Sequence, residues 1–316
     1  MRVLVTGGAG FIGSAIARRL VDDKHDVVVV DNLSTGSREN VPLAAELVEL
    51  DVAQAGFVRR LPSGGYDAVC HLAAQSAGVV SAEDPYYDLQ ANAASTLLLT
   101  RWCIERGVRR FLYASSMAAY GDVRELPAHE DASPSVPVSY YGLSKLASEH
   151  LLRLASREGL SVTSFRMFSV YGPGQNLGNL KQGMASIYLA YLLRGEPVPV
   201  TGSLERFRDF VYIDDAVEAW MAALALGETT SPVYNVGSGS RTTVRELLAA
   251  LKAALGLRPD HPVQENPGSP SDQFGIWADI RRIAKELQWR PTIPLEVGLR
   301  RMVAWAVERA TPEGRW

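Results

Sequence analysis

"MRVLVTGGAGFIGSAIARRL", residues 1–20, decides the fold. An apolar, β-branched run ends in three glycines and resumes as an amphipathic helix over 11–22. Gly7, Gly10 and Gly13 stand in the spacing G-x-x-G-x-x-G. A chain that must turn tightly, bring its backbone up to a pyrophosphate and pack a helix close to a sheet needs residues without a Cβ at such points. The helix start then offers unpaired N–H groups to the phosphates.

Working outward, "DVVVVDN" (26–32), "AELVELDV" (45–52), "YDAVCHLAA" (66–74), "RRFLYASS" (109–116) and "LSVTSFRMFSVYG" (160–172) read as further strands. Several are apolar almost without interruption, as strands covered on both faces of a parallel sheet are. Helical patterns over 11–22, 88–106 and 141–157 alternate with them. The order β, α, β, α predicts an α/β protein with a Rossmann-type doubly wound parallel sheet. Residues 1–172 are expected to form the nucleotide-binding domain. A smaller, interleaved C-terminal domain, 173–316, is expected to bind substrate, with "SPVYNVGSG" (231–239) returning to the main sheet. The loops "GPGQNLGNLKQG" (172–183) and "ENPGSPSDQFG" (265–275) have the composition of binding loops.

Asp31, at the end of the second strand, is placed to accept both hydroxyls of an adenosine ribose. Its charge would repel a 2′-phosphate, and although Arg38 lies nearby, no basic residue replaces or directly follows the acid, so NAD is favoured over NADP. Tyr141 and Lys145 are four apart and share a helix face. A free phenol titrates near ~10, and a neighbouring ammonium together with an oxidised nicotinamide favours the phenolate. Tyr141 is therefore a candidate acid/base. Ser115 and Ser116 end a strand at the sheet's carboxyl edge, where ligands of such sheets bind, and Ser116 is expected to bond the hydroxyl that Tyr141 deprotonates.

The bulk properties agree with an ordinary soluble globular protein. Of 316 residues, 47% are hydrophobic and 21% are charged, and the formal charge is −3. Nothing in that balance argues for nucleic acid as the partner. No run reaches the ~18 apolar residues of a membrane span. Cys70 and Cys103 lack zinc-site spacing and read as buried apolar residues, and the histidines, His71 included, show no metal-ligand pattern. A cytoplasmic protein without metal or membrane partner is expected.

"TGGAGFIGS", "DNLSTG", "HLAAQ", "SSMAAYG", "YYGLSK" and "RFRDFVYIDD" together resemble the extended short-chain dehydrogenase/reductases, specifically the nucleotide-sugar epimerase/dehydratase group, over Met1 to about Trp289. The resemblance implies that Gly7, Gly10, Phe11, Ile12 and Gly13 meet the pyrophosphate of NAD. It puts Asp31 and Asn32 at the adenosine ribose and Asp51 and Val52 beside adenine. Ala73, Ala74 and Asn92 line the cofactor, and Ser116, Tyr141 and Lys145 form the catalytic trio, the last two also touching the cofactor. The implied chemistry is a transient oxidation at carbon 4 of a nucleotide-linked sugar. Water-eliminating members usually carry an Asp-Glu pair where this chain has Met117 and Ala118, which points to 4-epimerisation.

For the substrate, the resemblance implicates Ser169, Asn176, Arg208, Asp272 and Ile276. Ser169 stands where galactose-type epimerases commonly have Asn, and Asn176 where uronate-acting members often have an arginine to clamp the carboxylate. Arg208 matches the arginine on the diphosphate, its alternative being an ion pair with Asp209. Asn266 replaces an expected arginine. Ile276 falls where members differ in the bulk they admit at carbon 2, which leaves N-acetyl sugars open, and Trp277 reads as core. The expectation is an NAD-dependent UDP-glucose/UDP-galactose 4-epimerase, with UDP-glucuronate epimerisation, a reductase and a non-enzymatic binding protein as alternatives. A homodimer through helices near 92–106 and 141–157 is implied as well.

Overall fold

The computed structural model describes residues 1–123, 125–132, 136–268 and 273–309. Its strands are β1 (Arg2–Thr6), β2 (Asp26–Asp31), β3 (Glu46–Glu49), β4 (Ala68–His71), β5 (Arg110–Ser116), β6 (Ser161–Met167), β7 (Ser169–Tyr171), β8 (Val198–Thr201), β9 (Phe207–Arg208), β10 (Phe210–Tyr212), β11 (Val233–Val236), β12 (Thr242–Thr243) and β13 (Val263–Asn266). Its helices are α1 (Phe11–Asp22), α2 (Gly78–Glu83), α3 (Pro85–Leu89), α4 (Ser95–Arg106), α5 (Tyr140–Ser156), α6 (Met184–Leu193), α7 (Ile213–Leu226), α8 (Val244–Leu255), α9 (Arg281–Glu286) and α10 (Leu295–Arg309).

Seven strands form one parallel sheet in the order β11-β6-β5-β4-β1-β2-β3. Alternate residues of each strand feed two separate cores. Val3, Val5, Val27 and Val29 pack with Ile16 and Leu20 of α1. Leu4, Val28 and Val30 belong to the opposite cluster with Leu99 and Trp102 of α4. Covering both faces explains the unbroken apolar runs, each such side chain contributing about 1.5–3 kcal/mol by its burial. The order reverses at β1, which has β2 on one side and β4 on the other, and the crevice at the carboxyl ends opens there.

Two elements differ from their sequence patterns. The run 160–172 is two strands: at Phe168 the chain leaves the main sheet, and β7 pairs instead with β10. The helix expected over 88–106 begins earlier, at Pro85, with Asp84 accepting from the Tyr87 N–H, and passes through one turn of π-helix over Gln90–Ala94 before continuing as α4. β11 lies at the edge of the main sheet beside β6, while β8/β13 and β9/β12 form small pairs outside it.

Candidate active site

A cleft of about 720 Å³ runs along the carboxyl ends of the strands, from the glycine loop at one end to α6, β8 and β9 at the other. Gly7 adopts φ +72°, and a Cβ there would lie 2.6 Å from the Ala73 backbone nitrogen. A Cβ on Gly13 would lie 2.1 Å from the Gly7 carbonyl oxygen. The loop is thus pressed against its own helix and against the turn after β4. Gly10 is the N-cap of α1 and supplies no side chain to the helix start, which leaves the first N–H groups facing the cleft.

Asp31 braces this loop as well as lining the cleft. Its two carboxylate oxygens accept from the backbone N–H of Ala9 (3.0 Å) and of Leu33 (2.8 Å). Phe11, Ile12, Asn32, Asp51, Val52, Ala73 and Ala74 all line the same end. Tyr87 of α3 joins them, its phenol reaching the Asn32 side chain, and burial followed by the charge of Asp51 pushes its pKa up. Nothing in the sequence pattern singled out Tyr87, because a single-turn helix has no periodicity to read.

Asn92 is elsewhere. It is 1% exposed and does not line the cleft. Its amide donates to the Gln75 carbonyl (3.0 Å), Asp88 Oδ1 (3.1 Å) and Ser144 Oγ (2.9 Å). Its backbone carbonyl accepts from the hydroxyls of Thr96, at 2.7 Å, and Ser148, at 3.4 Å. The same carbonyl also accepts a backbone N–H at the end of the π-turn. These bonds fasten the α3–α4 segment to α5.

The trio converges in the middle of the cleft. Ser116 closes β5, with its hydroxyl accepting from the Ala118 N–H (3.1 Å) and within hydrogen-bonding reach of the Tyr141 phenol. Tyr141 lies in the first turn of α5, a helix capped by the Ser139 hydroxyl on the Gly142 N–H (3.1 Å). Enclosure pushes the Tyr141 pKa up to about 12; Ser116 pulls it down and Asp88 pushes it further up. Lys145, 2% exposed, donates from Nζ to the Ala114 carbonyl (2.7 Å) and lies 4.8 Å from the Tyr113 ring centre and 5.8 Å from that of Tyr141. Burial drives its pKa down to about 7, with Asp88 and then Glu149 opposing the loss. Beneath the trio, Glu149 holds Arg166 through two hydrogen bonds (2.9 and 2.7 Å) and accepts from the Ser115 hydroxyl.

On the substrate side, Ser169, Asn176 and Arg208 line the cleft. Asn176 also caps its own loop, accepting from the Gly178 N–H (2.9 Å). Arg208 donates to the carbonyls of Phe207 (2.7 Å) and Gln273 (2.9 Å). Asp209 instead accepts from Ser238, Gly239 and Ala278. Arg206 lines the cleft beside Arg208; the alternation in "RFR", two residues apart and on one side of an extended chain, is the signal that marks it. Across the mouth, Ser76 donates to Gln182 (3.1 Å) and Lys181 pairs with Glu83 (3.2 Å).

Ile276 and Trp277 differ from their expected burial. Ile276 is fully buried with Tyr120, Ala128, Phe168 and Ala278 and does not reach the cleft, while Trp277 is only half-buried. The backbone pairing of this segment decides it: the Ala128 N–H donates to the Trp277 carbonyl (2.8 Å), which turns Ile276 inward. Asp272 lies outside the described residues. His71, fully buried between Thr6 (2.7 Å) and Ser95 (3.3 Å), has its pKa held down to about 3 by burial and then by Lys145, so it stays a neutral structural side chain. Among the described residues no cluster of His, Cys, Asp and Glu could hold a metal ion, and no helix is long and apolar enough to cross a membrane.

Residues 3–237 match the model of the NAD-dependent epimerase/dehydratase family. The chain belongs to that family. A putative UDP-glucose 4-epimerase of Methanocaldococcus jannaschii is 33% identical over 305 residues, covering 96% of this chain and 97% of the relative. Among solved structures, the UDP-glucose 4-epimerase of Thermotoga maritima with UDP-glucose superposes with a TM-score of 0.92 at 35% identity, covering 98% of this chain and 99% of that one. That of Thermus thermophilus in complex with NAD gives 0.88 at 36% identity, covering 98% and 100%. NAD is the cofactor of this epimerase/dehydratase fold, and the residues present fit it: a loop that a Cβ at Gly7 or Gly13 would fill, an uncapped helix start and a carboxylate at the end of β2.

Proposed function

We propose that this protein is a UDP-sugar 4-epimerase that interconverts UDP-glucose and UDP-galactose. The observation that carries the reading is the composition of the cleft around Ser116, Tyr141 and Lys145. Met117 and Ala118 flank the trio, and among the described lining residues the only carboxylates, Asp31 and Asp51, belong to the dinucleotide end. A site with a proton acceptor for one hydroxyl and no acid to expel another suits oxidation and re-reduction at one carbon, not elimination.

The glycine loop, Asp31 and Asn32 would hold NAD, with Lys145 and Tyr141 at its reactive end. NAD, when bound, supplies the hydride acceptor and returns the hydride. With that acceptor in place, Tyr141 would take the proton of the sugar's 4-hydroxyl as carbon 4 is oxidised to a carbonyl. Ser116 keeps that oxygen in place by hydrogen bonding. Tyr141 can act as a base only beside positive charge, because its pKa is pushed up to about 12, chiefly by burial. On re-reduction of the oxidised carbon Tyr141 would give the proton back. Arg208 and Arg206 suit the diphosphate. Asn176, in place of a guanidinium, favours a neutral sugar over a uronate.

A homodimer accompanies this reading. Leu97 on α4 and Leu143 and Leu154 on α5 are exposed apolar side chains. They lie on two helices that pack together, and an apolar face of that kind suits a second copy of the chain. We assign the protein to the cytoplasm, in keeping with two unpaired, buried cysteines.

The test is incubation of the purified protein, without added cofactor, with UDP-galactose, UDP-N-acetylgalactosamine and UDP-glucuronate separately, resolving 4-epimers by chromatography. Conversion of UDP-galactose that disappears in Tyr141→Phe is the expected result. Preference for UDP-glucuronate would reject the neutral-sugar assignment, and no conversion of any of the three with NAD supplied would reject the epimerase.

A further inference from the structure

Between β9 and β10 the chain places two charged neighbours very differently: Arg208 lines the cleft, while Asp209 is fully buried outside it. Four donors converge on the Asp209 carboxylate from two other segments. The Ser238 N–H (2.5 Å) and hydroxyl (2.7 Å) reach Oδ1, and the N–H groups of Gly239 (3.0 Å) and Ala278 (3.1 Å) reach Oδ2. The turn after β11 is shaped for this. Gly239 adopts φ +73°, and a Cβ on Gly237 would lie 2.7 Å from Asp209 Oδ2 and 2.8 Å from the Ala278 Cβ. Successive N–H groups wrapped in this way make a nest for an anion, here one that the chain itself supplies.

The segments gathered at Asp209 are the ones that fix Arg208. Just beyond the turn, Thr242 of β12 pairs with Arg208 in the β9/β12 ladder. On the other side, the Arg208 guanidinium donates to the carbonyls of Gln273 (2.9 Å) and Phe274 (3.3 Å), in the segment that runs on to Ala278. The Asp209 carbonyl also accepts from the Ser169 N–H (2.9 Å) of β7. We propose that Asp209 is a positioning residue for the diphosphate: it touches no ligand, and by holding the turn after β11 and the segment 273–278 against its own strand it sets Arg208 in the cleft. The proposal rests on the reading of this cleft as a UDP-sugar site.

The simpler use of an acid beside an arginine, an ion pair between them, is not what Asp209 makes, since its four partners are N–H groups and a hydroxyl. Nor can its amide replace it. Each carboxylate oxygen accepts two donors, so in Asp209→Asn the NH2 group meets two donors whichever way it turns.

Calorimetric titration of UDP into the purified, NAD-loaded protein reads the grip on the diphosphate without turnover. Asp209→Asn should bind UDP about tenfold more weakly than wild type, and Arg208→Ala at least as weakly. Because Asp209 acts through Arg208, the double variant should match Arg208→Ala within about twofold. NAD content, read from absorbance, should be equal in all of them, since the glycine loop and Asp31 lie at the other end of the cleft. With UDP-galactose, KM should rise about tenfold in Asp209→Asn while kcat changes less than about threefold.

Unchanged UDP affinity in Asp209→Asn, or losses that add in the double variant, would overturn the proposal. So would loss of NAD together with UDP, which is what a residue supporting the fold as a whole predicts. Should Asp209→Asn fail to fold, Ser238→Ala withdraws the hydroxyl bond alone and keeps the N–H bonds. It should weaken UDP about threefold, and that loss should vanish beside Arg208→Ala; no loss, or one that persists there, overturns the proposal. If the binding pattern appears but no nucleotide sugar is converted, the positioning role stands and the epimerase reading falls. A wild type that does not bind UDP overturns both.

Discussion

Arg166→Met isolates the interaction that seats α5 on the sheet. Arg166 lies in β6 and Glu149 in α5, and their side chains are 5% and 2% exposed. The substitution removes two hydrogen bonds to Glu149, at 2.9 and 2.7 Å. Both are charge-assisted, the stronger kind. A third bond, from Arg166 Nη1 to the Glu130 carbonyl at 3.2 Å, is lost with them. So is a guanidinium placed 4.3 Å from the Tyr120 ring centre. Methionine fills much of the arginine stem, so cavity formation is the smaller loss. The larger one is Glu149, left buried with the Ser115 hydroxyl and the distant Lys145. Breaking one half of a buried pair typically costs about 3–5 kcal/mol. Removing both halves in Arg166→Met/Glu149→Leu eliminates the stranded charge and leaves the Ser115 hydroxyl and the Glu130 carbonyl unpaired, a loss of about 1–2 kcal/mol. Urea titration of the three proteins should therefore rank the double variant between wild type and Arg166→Met, with a coupling of about 2 kcal/mol or more. A single variant costing under about 1 kcal/mol, or a double no more stable than the single, would refute the reasoning.

Gly13→Ala sets a methyl 2.1 Å from the Gly7 carbonyl and forces α1 away from the loop, so the purified protein should lose its bound dinucleotide, read from absorbance. The same clash should cost about 2 kcal/mol of stability in urea titration. His71, held down to about 3 by burial and Lys145, should show imidazole NMR signals that do not titrate across neutral pH. Because the unfolded chain binds that proton and the folded one does not, stability should fall by up to about 1.4 kcal/mol per unit as pH drops from about 6.5 toward the folded value; a His71→Asn variant without that slope checks the assignment. Leu143→Glu, on the exposed apolar face of α5, should shift the protein to monomer in sedimentation velocity. Its melting temperature should fall by no more than about 3 °C, since the side chain is not part of the core.

Amino-acid order by itself determined whatever depends on neighbours along the chain. The glycine spacing, the acid closing β2, the apolar strands and the Tyr141–Lys145 spacing follow from backbone sterics and from periodicities of about two and 3.6 residues, which operate within a few positions. So the sheet was legible, and so was the grouping of the trio at one edge of it. Tertiary structure decided what depends on residues far apart in sequence. Phe168 breaks one apolar run into two strands because β10 competes for the second half. Trp277, the larger and more apolar-looking residue, stays half-exposed and Ile276 goes inside because the Ala128 N–H fixes the backbone between them. Asn92 bonds Ser144, 52 positions away, and Arg166 finds Glu149 across the α5–β6 turn. Asp88 reads as one more polar residue after a proline until the fold surrounds it with protein. A charge has no environment until the chain has packed, and the low polarity of that packing, not the residue type, makes a carboxylate or an ammonium consequential.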